Sequence, residues 1–130
     1  MDLILDTCAL LSLSGIARKK LTTKTLARIS DVDRVFVSAC SLFEISLKVK
    51  REQLSVSPFG SAIDYWDKAI AAYDLDSLSV EAEDFEKATS LPDHHNDPFD
   101  RIIIAQALRR SCSIVTYDKL FSAYGVELLQ

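Results

Sequence analysis

Short apolar runs alternate with longer amphipathic segments along the chain, and this alternation predicts strands that are separated by helices. Three runs are rich in aliphatic residues and bounded by polar ones, as buried strands are; they cover Leu3–Leu5, residues 34–37 and residues 113–116. A weaker alternating run predicts a further strand over residues 75–80, and an apolar run near the end predicts a last one over residues 126–129.

The segments between these strands carry apolar residues at helical spacing and begin with residues that favour helix caps. They predict helices over residues 7–13, 22–29, 38 or 41 to 50, 62–73, 81–90 and 97–110, and a helical turn after residue 118. Two apolar helix faces are predicted to pack in the core, the second with contact to a partner as its alternative. They are Leu42, Ile45 and Val49, and Ile63, Trp66, Ile70 and Tyr73.

Strands that alternate with crossover-length segments predict an α/β fold with a parallel sheet that is covered on both faces. At 130 residues the chain is expected to form a single domain, residues 1–130. No apolar run approaches the roughly 20 residues that span a bilayer, and the acidic N-terminus is unlike a targeting segment, so we expect no membrane association. Cys8, Cys40 and Cys112 are far apart, which predicts buried free thiols in a reducing, cytoplasmic compartment.

The formal net charge of −4 argues at first against a nucleic-acid partner. The argument weakens if five acidic side chains bind metal, because 14 of the 19 acids then face 15 basic residues. The basic residues form two groups, over residues 18–28 and 48–51, and such groups are usually solvated helix faces. Net charge therefore neither supports nor excludes RNA or DNA.

Two carboxylates lie three residues apart where the helix over residues 97–110 begins. Asp97 is a favoured N-cap, Pro98 suits the first helical position, and Asp100 falls in the first turn, where the helix dipole favours negative charge. Capping alone explains this arrangement. The positions of the other acids decide whether it also carries chemistry.

Further acids fall at the carboxyl ends of predicted strands, the edge at which ligands bind in open parallel sheets. Asp6 ends the first strand, Asp118 follows the strand over residues 113–116, and Glu44 lies early in the helix after the second strand. Helices antiparallel to the strands start at this same edge, which brings in Asp97 and Asp100. Each acid alone has a structural alternative: an N-cap for Asp6, a turn for Asp118 and a solvent-facing position for Glu44. Carboxylates that converge, however, require a cation.

A ligand set made of oxygen atoms points to magnesium or manganese rather than zinc. His94 and His95 are adjacent and would point apart, so structural loop histidines are the favoured interpretation. Carboxylate-held divalent ions suit phosphodiester hydrolysis. No glycine-rich phosphate loop supports nucleoside triphosphate hydrolysis, and no histidine at recognisable spacing supports a serine or cysteine nucleophile.

Four segments in this order together resemble the PIN-domain ribonucleases, and most closely the VapC-type toxins of bacterial toxin–antitoxin pairs. They are Leu-Ile-Leu-Asp-Thr at residues 3–7, Val-Ser-Ala-Cys-Ser-Leu-Phe-Glu-Ile at 37–45, Asp-Pro-Phe-Asp-Arg at 97–101 and Thr-Tyr-Asp at 116–118. The likeness runs from the first strand to the last. It implies a three-layer α/β/α fold and Mg²⁺- or Mn²⁺-dependent cleavage of RNA, with a homodimer and an antitoxin protein that covers the site.

The resemblance also implies roles for individual residues. Asp6, Glu44, Asp100 and Asp118 match the family's acids, whereas Asp97 belongs to the subgroup with Asp-Pro-Phe-Asp-Arg and is a ligand, a supporting group or chiefly the cap. Three further residues have weaker assignments: Thr7 or Thr116 would hydrogen-bond a ligand or a water, and Arg101 would pair with a neighbouring acid or contact substrate phosphate.

Two positions depart from the family pattern without touching the acids. Cys8 stands where the subgroup usually has histidine, and Phe43 stands where tryptophan is common. Two other functions stay open at this point. One is a PIN nuclease that acts in RNA processing or on DNA outside toxin–antitoxin systems, and the other is a PIN-like binding module without catalysis, which a missing acid would favour.

Overall fold

A parallel five-stranded sheet forms the centre of the chain in a computed structural model that describes residues 1–125 and 128–129. Its strands are β1 (Leu3–Leu5), β2 (Val35–Ser38), β3 (Asp76–Leu78), β4 (Ser113–Val115) and β5 (Leu128–Leu129). Their order in the sheet is β3-β2-β1-β4-β5, and all four neighbouring pairs are parallel. The predicted α/β class and sheet are confirmed; residues 126 and 127 of the predicted last strand lie outside the described residues.

Strand β1 lies at the centre of the sheet, between β2 and β4, and is buried along its whole length. Ile4 pairs with Phe36 of β2 on one side and with Ile114 of β4 on the other. The ladder extends one residue further, where the backbone amide of Asp6 donates to the carbonyl oxygen of Val115. Asp6 is thereby fixed at the carboxyl end of the sheet.

Six helices and one 3₁₀ helix accompany the strands in the described part of the chain. They are α1 (Thr7–Leu13), α2 (Thr23–Asp31), α3 (Ala39–Lys50), α4 (Ala62–Tyr73), α5 (Ala82–Ser90), α6 (Pro98–Arg110) and a 3₁₀ helix (Lys119–Tyr124). Each lies within a few residues of its predicted position, and α4 matches its predicted bounds at both ends.

Side chains that alternate along the strands divide the core into two parts, one on each face of the sheet. Leu3 and Leu5 face a cluster that includes residues of α1, α3 and α4. Ile4 faces the opposite way, toward a cluster that includes Ile103 and Ile104 of α6. This is the expected three-layer arrangement, and the predicted core stripe Leu42, Ile45 and Val49 packs within the first cluster.

The buried face of α4 differs from the predicted stripe. Trp66 is buried as expected, but Ile63 is 52% and Tyr73 40% exposed, whereas Ala62, Tyr65 and Ala69 are buried. The helix has nine apolar or aromatic residues in twelve, so periodicity could not select one face. Small alanines allow close packing on this side, and the Tyr65 hydroxyl lies 2.6 Å from Ser14 Oγ.

Two further findings concern the cysteines and the lengths of the helices. All three cysteines are free, but Cys8 is exposed and only Cys40 and Cys112 are buried, so the prediction of burial is wrong for Cys8. Cys8 occupies the second position of α1 and is not among the buried residues of that helix. Among the described residues, none of the helices is long and apolar enough to cross a membrane.

Candidate metal centre

A cleft of ≈ 660 Å³ opens at the carboxyl edge of the sheet, and all five acids singled out in the sequence line it. We call it the acidic cleft. Its carboxylates are Asp6, Glu44, Asp97, Asp100 and Asp118. The structure therefore brings the predicted acids together from four separate segments of the chain.

Three of these acids also cap helices, so the same side chain both stabilises a helix and lines the cleft. Asp6 Oδ1 accepts a hydrogen bond from the backbone amide of Ala9 at 2.8 Å, as the N-cap of α1. Asp97 caps α6, and Asp118 Oδ1 accepts from the amide of Leu120 at the start of the 3₁₀ helix. Capping fixes one oxygen of each carboxylate, which orients the side chain at the cleft.

Burial controls the electrostatics of Asp6. Removal from water raises the pKa of its carboxyl group, because the charged form loses hydration. A hydrogen bond with the Thr116 side chain and the amide of Ala9 oppose this shift, whereas the charges of Glu44 and Asp118 add to it. Asp6 is thus a carboxylate whose negative charge is incompletely compensated by the protein.

Asp100 is perturbed more strongly. Burial, followed by the negative charge of Asp97, raises the pKa of Asp100 to about 7, with smaller contributions from Asp6 and Glu44 in the same direction. His95 opposes the shift. Crowded carboxylates repel one another, and a bound cation would remove that cost.

Glu44 supplies a buried oxygen atom without a hydrogen-bond partner. It lies in the second turn of α3, where Oε2 pairs with Lys48 Nζ at 3.0 Å. Within the described part of the chain, Oε1 is buried and has no partner. Such an atom is costly to bury unless something else satisfies it. The orphaned oxygen and the surrounding carboxylates fit a hard divalent cation, whose preferred ligands are oxygen atoms.

His95 joins two of the acids, which the sequence interpretation of a structural loop histidine missed. Its Nε2 lies 2.7 Å from Asp118 Oδ2 and 3.1 Å from Asp100 Oδ2. His95, Asp100 and Asp118 each have one atom that could bind a metal ion, and these three atoms lie within 4.8 Å of one another. His94 does fit the structural interpretation, because its ring packs edge-on against Tyr124. The position of His95 in the sequence could have indicated this contact, because it precedes Asp97 by two residues.

The residues with weaker assignments make contacts within the protein. The Thr7 hydroxyl donates to Ser41 Oγ at 2.9 Å. Thr116 Oγ1 accepts from the backbone amide of Asp118, and its side chain bonds Asp6, so it supports two of the acids. Both roles toward a bound ligand stay predictions.

Arg101 serves the local backbone rather than a nearby cleft acid. Its guanidinium donates to the carbonyl oxygens of Ala88, Leu91, Pro92 and His95 at 2.6–3.0 Å. Among the described residues, the acid that pairs with the guanidinium is the exposed Asp93, at 3.8 Å. The expected pairing with an acid is a minor part of its role, because carbonyl groups at the end of α5 and in the following loop lie closer to it.

Basic side chains also line the acidic cleft. Lys19, Lys48 and Lys119 lie along it, and Lys19 Nζ stands 3.9 Å from the centre of the Tyr117 ring. The Tyr117 hydroxyl donates to Ser12 Oγ. Sequence grouping drew attention to Lys19 and Lys48 only as parts of charged helix faces, and did not single out Lys119.

Comparison with known proteins agrees with this geometry. A sequence profile described as PIN domain matches residues 3–127. The chain belongs to the PIN domain family. A search of curated proteins gave no match.

Several solved PIN-fold structures are similar to the chain throughout its length, at identities that establish likeness of fold. VapBC2 from Rickettsia felis, bound to a promoter DNA fragment, has a TM-score of 0.73 at 15% identity and covers 99% of this chain and 98% of its own. VapC20 from Mycobacterium tuberculosis, described as a sarcin-ricin loop cleaving toxin, has a TM-score of 0.64 at 17% identity and 95% coverage of both chains. DNA-bound VapBC from Salmonella typhimurium has a TM-score of 0.64 at 16% identity, covering 99% and 97%.

Proposed function

We propose that this PIN domain is a Mg²⁺- or Mn²⁺-dependent endoribonuclease that acts as the toxin of a toxin–antitoxin pair. The observation that supports it most directly is the convergence of five carboxylates, one with an orphaned buried oxygen, in one cleft. Such an arrangement suits divalent ions and phosphodiester hydrolysis. VapC20, which shares the fold, is described as cleaving the sarcin-ricin loop.

In this proposal the acidic side chains of the cleft bind the metal ion together. Asp6, Glu44, Asp100 and Asp118 are its ligands, and Asp97 assists while it caps α6. The metal supplies Lewis-acid activation of water and stabilisation of charge on the phosphodiester. Thr116 holds Asp6, so the carboxylate is oriented before any ion arrives.

The cationic side chains of the acidic cleft contribute to binding of the RNA backbone. Lys19 and Lys119 line the cleft together with the acids, so a phosphodiester chain that reaches the acids passes within their range. Phosphate contacts of this kind position the backbone without reading sequence. The similar structures from Rickettsia felis and Salmonella typhimurium are VapBC complexes, which supports a cognate antitoxin for this chain. We also propose a homodimer in the cytoplasm.

The test incubates the purified chain with single-stranded RNA, an RNA hairpin and DNA of the same sequence, in Mg²⁺ or Mn²⁺ and then with EDTA. We expect RNA cleavage that EDTA abolishes and that Asp6→Asn and Asp100→Asn each reduce by at least about 100-fold, the scale of losing one charge-stabilising group. Asp67→Asn, an exposed acid on α4 outside the cleft, is the matched control and should cleave as the parent does.

Other outcomes separate the remaining functions. Cleavage that survives EDTA or both substitutions would overturn the metal mechanism. Preference for DNA would favour a PIN nuclease outside toxin–antitoxin systems, and binding of RNA without cleavage in either metal would favour a non-catalytic module.

A further inference from the structure

The two nitrogen atoms of His95 face different partners. Nδ1 accepts a hydrogen bond from the backbone amide of Asp97 at 3.1 Å. Nε2 is in hydrogen-bond distance of Asp118 Oδ2 and Asp100 Oδ2. The ring itself is held by an edge-on contact with Phe121 and is only 12% exposed. His95 therefore occupies one defined orientation between the start of α6 and the 3₁₀ helix.

This pattern assigns the position of the proton. A backbone amide always carries its hydrogen, so Nδ1 uses its lone pair to accept from Asp97, and Nε2 is the nitrogen that donates. That Nε2–H faces the carboxylate oxygens of Asp100 and Asp118. With the hydrogen on Nε2, neither nitrogen has a free lone pair for a metal ion.

We infer that His95 is a positioning residue: its Nε2–H holds Asp100 and Asp118 together, and its ring does not bind the metal itself. The inference rests on the proposed function for the identity of those acids as ligands. It accounts for the close grouping of one nitrogen and two carboxylate oxygens, which lie within 4.8 Å of one another.

The two nitrogens of His95 suit this position because each already has a partner. Nε2 lies within hydrogen-bond distance of both carboxylates, and Nδ1 is engaged by the amide of Asp97. This arrangement also leaves a ligand set of oxygen atoms, which favours Mg²⁺ or Mn²⁺ over Zn²⁺.

Nitrogen NMR of the intact chain tests the assignment without any substitution at His95. The chain has two histidines, so His94→Gln identifies the signals of His95 by elimination. We expect the Nε2–H tautomer in the metal-free protein and after titration with Mg²⁺. A hydrogen on Nδ1, which would prevent it from accepting from the Asp97 amide, would overturn the assignment.

Electron spin echo spectroscopy of Mn²⁺ tests the second half of the inference. Protein labelled with ¹⁵N-histidine and loaded with Mn²⁺ should give no coupling from a directly bound nitrogen. A strong coupling that changes between ¹⁴N and ¹⁵N would identify His95 as a ligand and overturn the inference.

Two substitutions separate donation from ligation. His95→Gln retains an N–H donor near the Nε2 position, and His95→Leu does not. We expect His95→Leu to weaken Mn²⁺ binding, measured by calorimetry without RNA, by about 10–100-fold, the scale for residues that orient metal ligands. His95→Gln should recover most of that loss, and the control His94→Leu should bind as the parent does. Equal losses in both His95 variants would contradict positioning.

Failure of the two proposals is distinguishable. If the parent chain binds Mn²⁺ but cleaves no RNA, the proposed function fails and the His95 results stand. If the parent binds no Mn²⁺, the role toward metal ligands fails with the proposed function, and the NMR tautomer then reports only on a structural bridge.

Discussion

The carboxylate of Asp97 accepts a hydrogen bond from the backbone amide of Asp100, so the first acid of the pair holds the peptide of the second. The N···O distance is 3.3 Å, and the same oxygen accepts from Phe99 at 2.8 Å. Asp97 is also the largest charged contributor to the raised pKa of Asp100. Asp97 therefore stabilises α6 as its N-cap, while its negative charge destabilises the ionised form of Asp100.

This double role predicts opposite effects of two substitutions at Asp97. Asn is as good an N-cap as Asp, so Asp97→Asn should leave the free energy of unfolding of the metal-free protein unchanged or higher, since repulsion of Asp100 is removed. Asp97→Ala should lower it by about 0.5–2 kcal/mol through loss of the cap. Urea denaturation in EDTA measures both, and a loss in Asp97→Asn as large as in Asp97→Ala would contradict the cap.

The raised pKa of Asp100, about 7 against an ordinary 3.8, predicts a pH dependence of stability. Between these values the folded protein retains a proton that the unfolded chain releases, so this carboxyl group favours folding less as the pH rises. Its destabilising effect is complete above pH 7. Metal-free Asp100→Asn should therefore gain stability relative to the parent from about pH 4 to 7, by at most about 1.4 kcal/mol per pH unit.

A control variant and added metal further test the pH dependence of the stability difference between Asp100→Asn and the parent. Asp67→Asn, with its exposed side chain on α4, should follow the parent at every pH. Added Mg²⁺ should stabilise the parent and reduce its deficit against Asp100→Asn at pH 8. A difference between Asp100→Asn and the parent that does not change with pH would contradict the shifted pKa.

Sequence patterns predicted the convergence of acids because it depends on topology. Asp6 and Asp118 follow strands, and Asp97 begins a helix, so a parallel sheet brings them to one edge whatever the details of packing. The role of His95 depends instead on the path of the loop over residues 91–96, which no periodicity describes. Its adjacency to His94 suggested two structural side chains and did not indicate which of them would face the cleft.

Two other differences between the predicted and the observed structure also result from tertiary contacts. The buried side of α4 was ambiguous because apolar residues cover most of the helix. Packing in the first core cluster buries Ala62 and Ala69 and leaves Ile63 exposed. Arg101 follows Asp100 in the sequence, which suggested pairing with an acid or a phosphate. The carbonyl groups it binds become visible only when α5 and its loop are in place.

Arg101 is accordingly predicted to govern stability. Its side chain is 11% exposed, and its guanidinium nitrogens donate to several backbone carbonyls at once. The single ammonium of Arg101→Lys cannot reach all of them. We expect a loss of about 2–4 kcal/mol in the free energy of unfolding, the scale of one or two charged hydrogen bonds. Arg51→Lys, at an exposed position, should change it little. A loss below about 0.5 kcal/mol in Arg101→Lys would contradict this role.

Lys48 is predicted to oppose metal binding while it assists RNA. Its ammonium occupies Glu44 Oε2 at 3.0 Å, so Lys48→Met should free this carboxylate and tighten Mn²⁺ binding by roughly fivefold, the scale of a partly exposed ion pair. Affinity for RNA should fall, because a cation is lost from the acidic cleft. Lys68→Met breaks an equivalent pair with Asp64 on α4 and should change neither affinity. Calorimetry with Mn²⁺ and filter binding with RNA in EDTA measure the two effects, and weaker Mn²⁺ binding in Lys48→Met would contradict the competition.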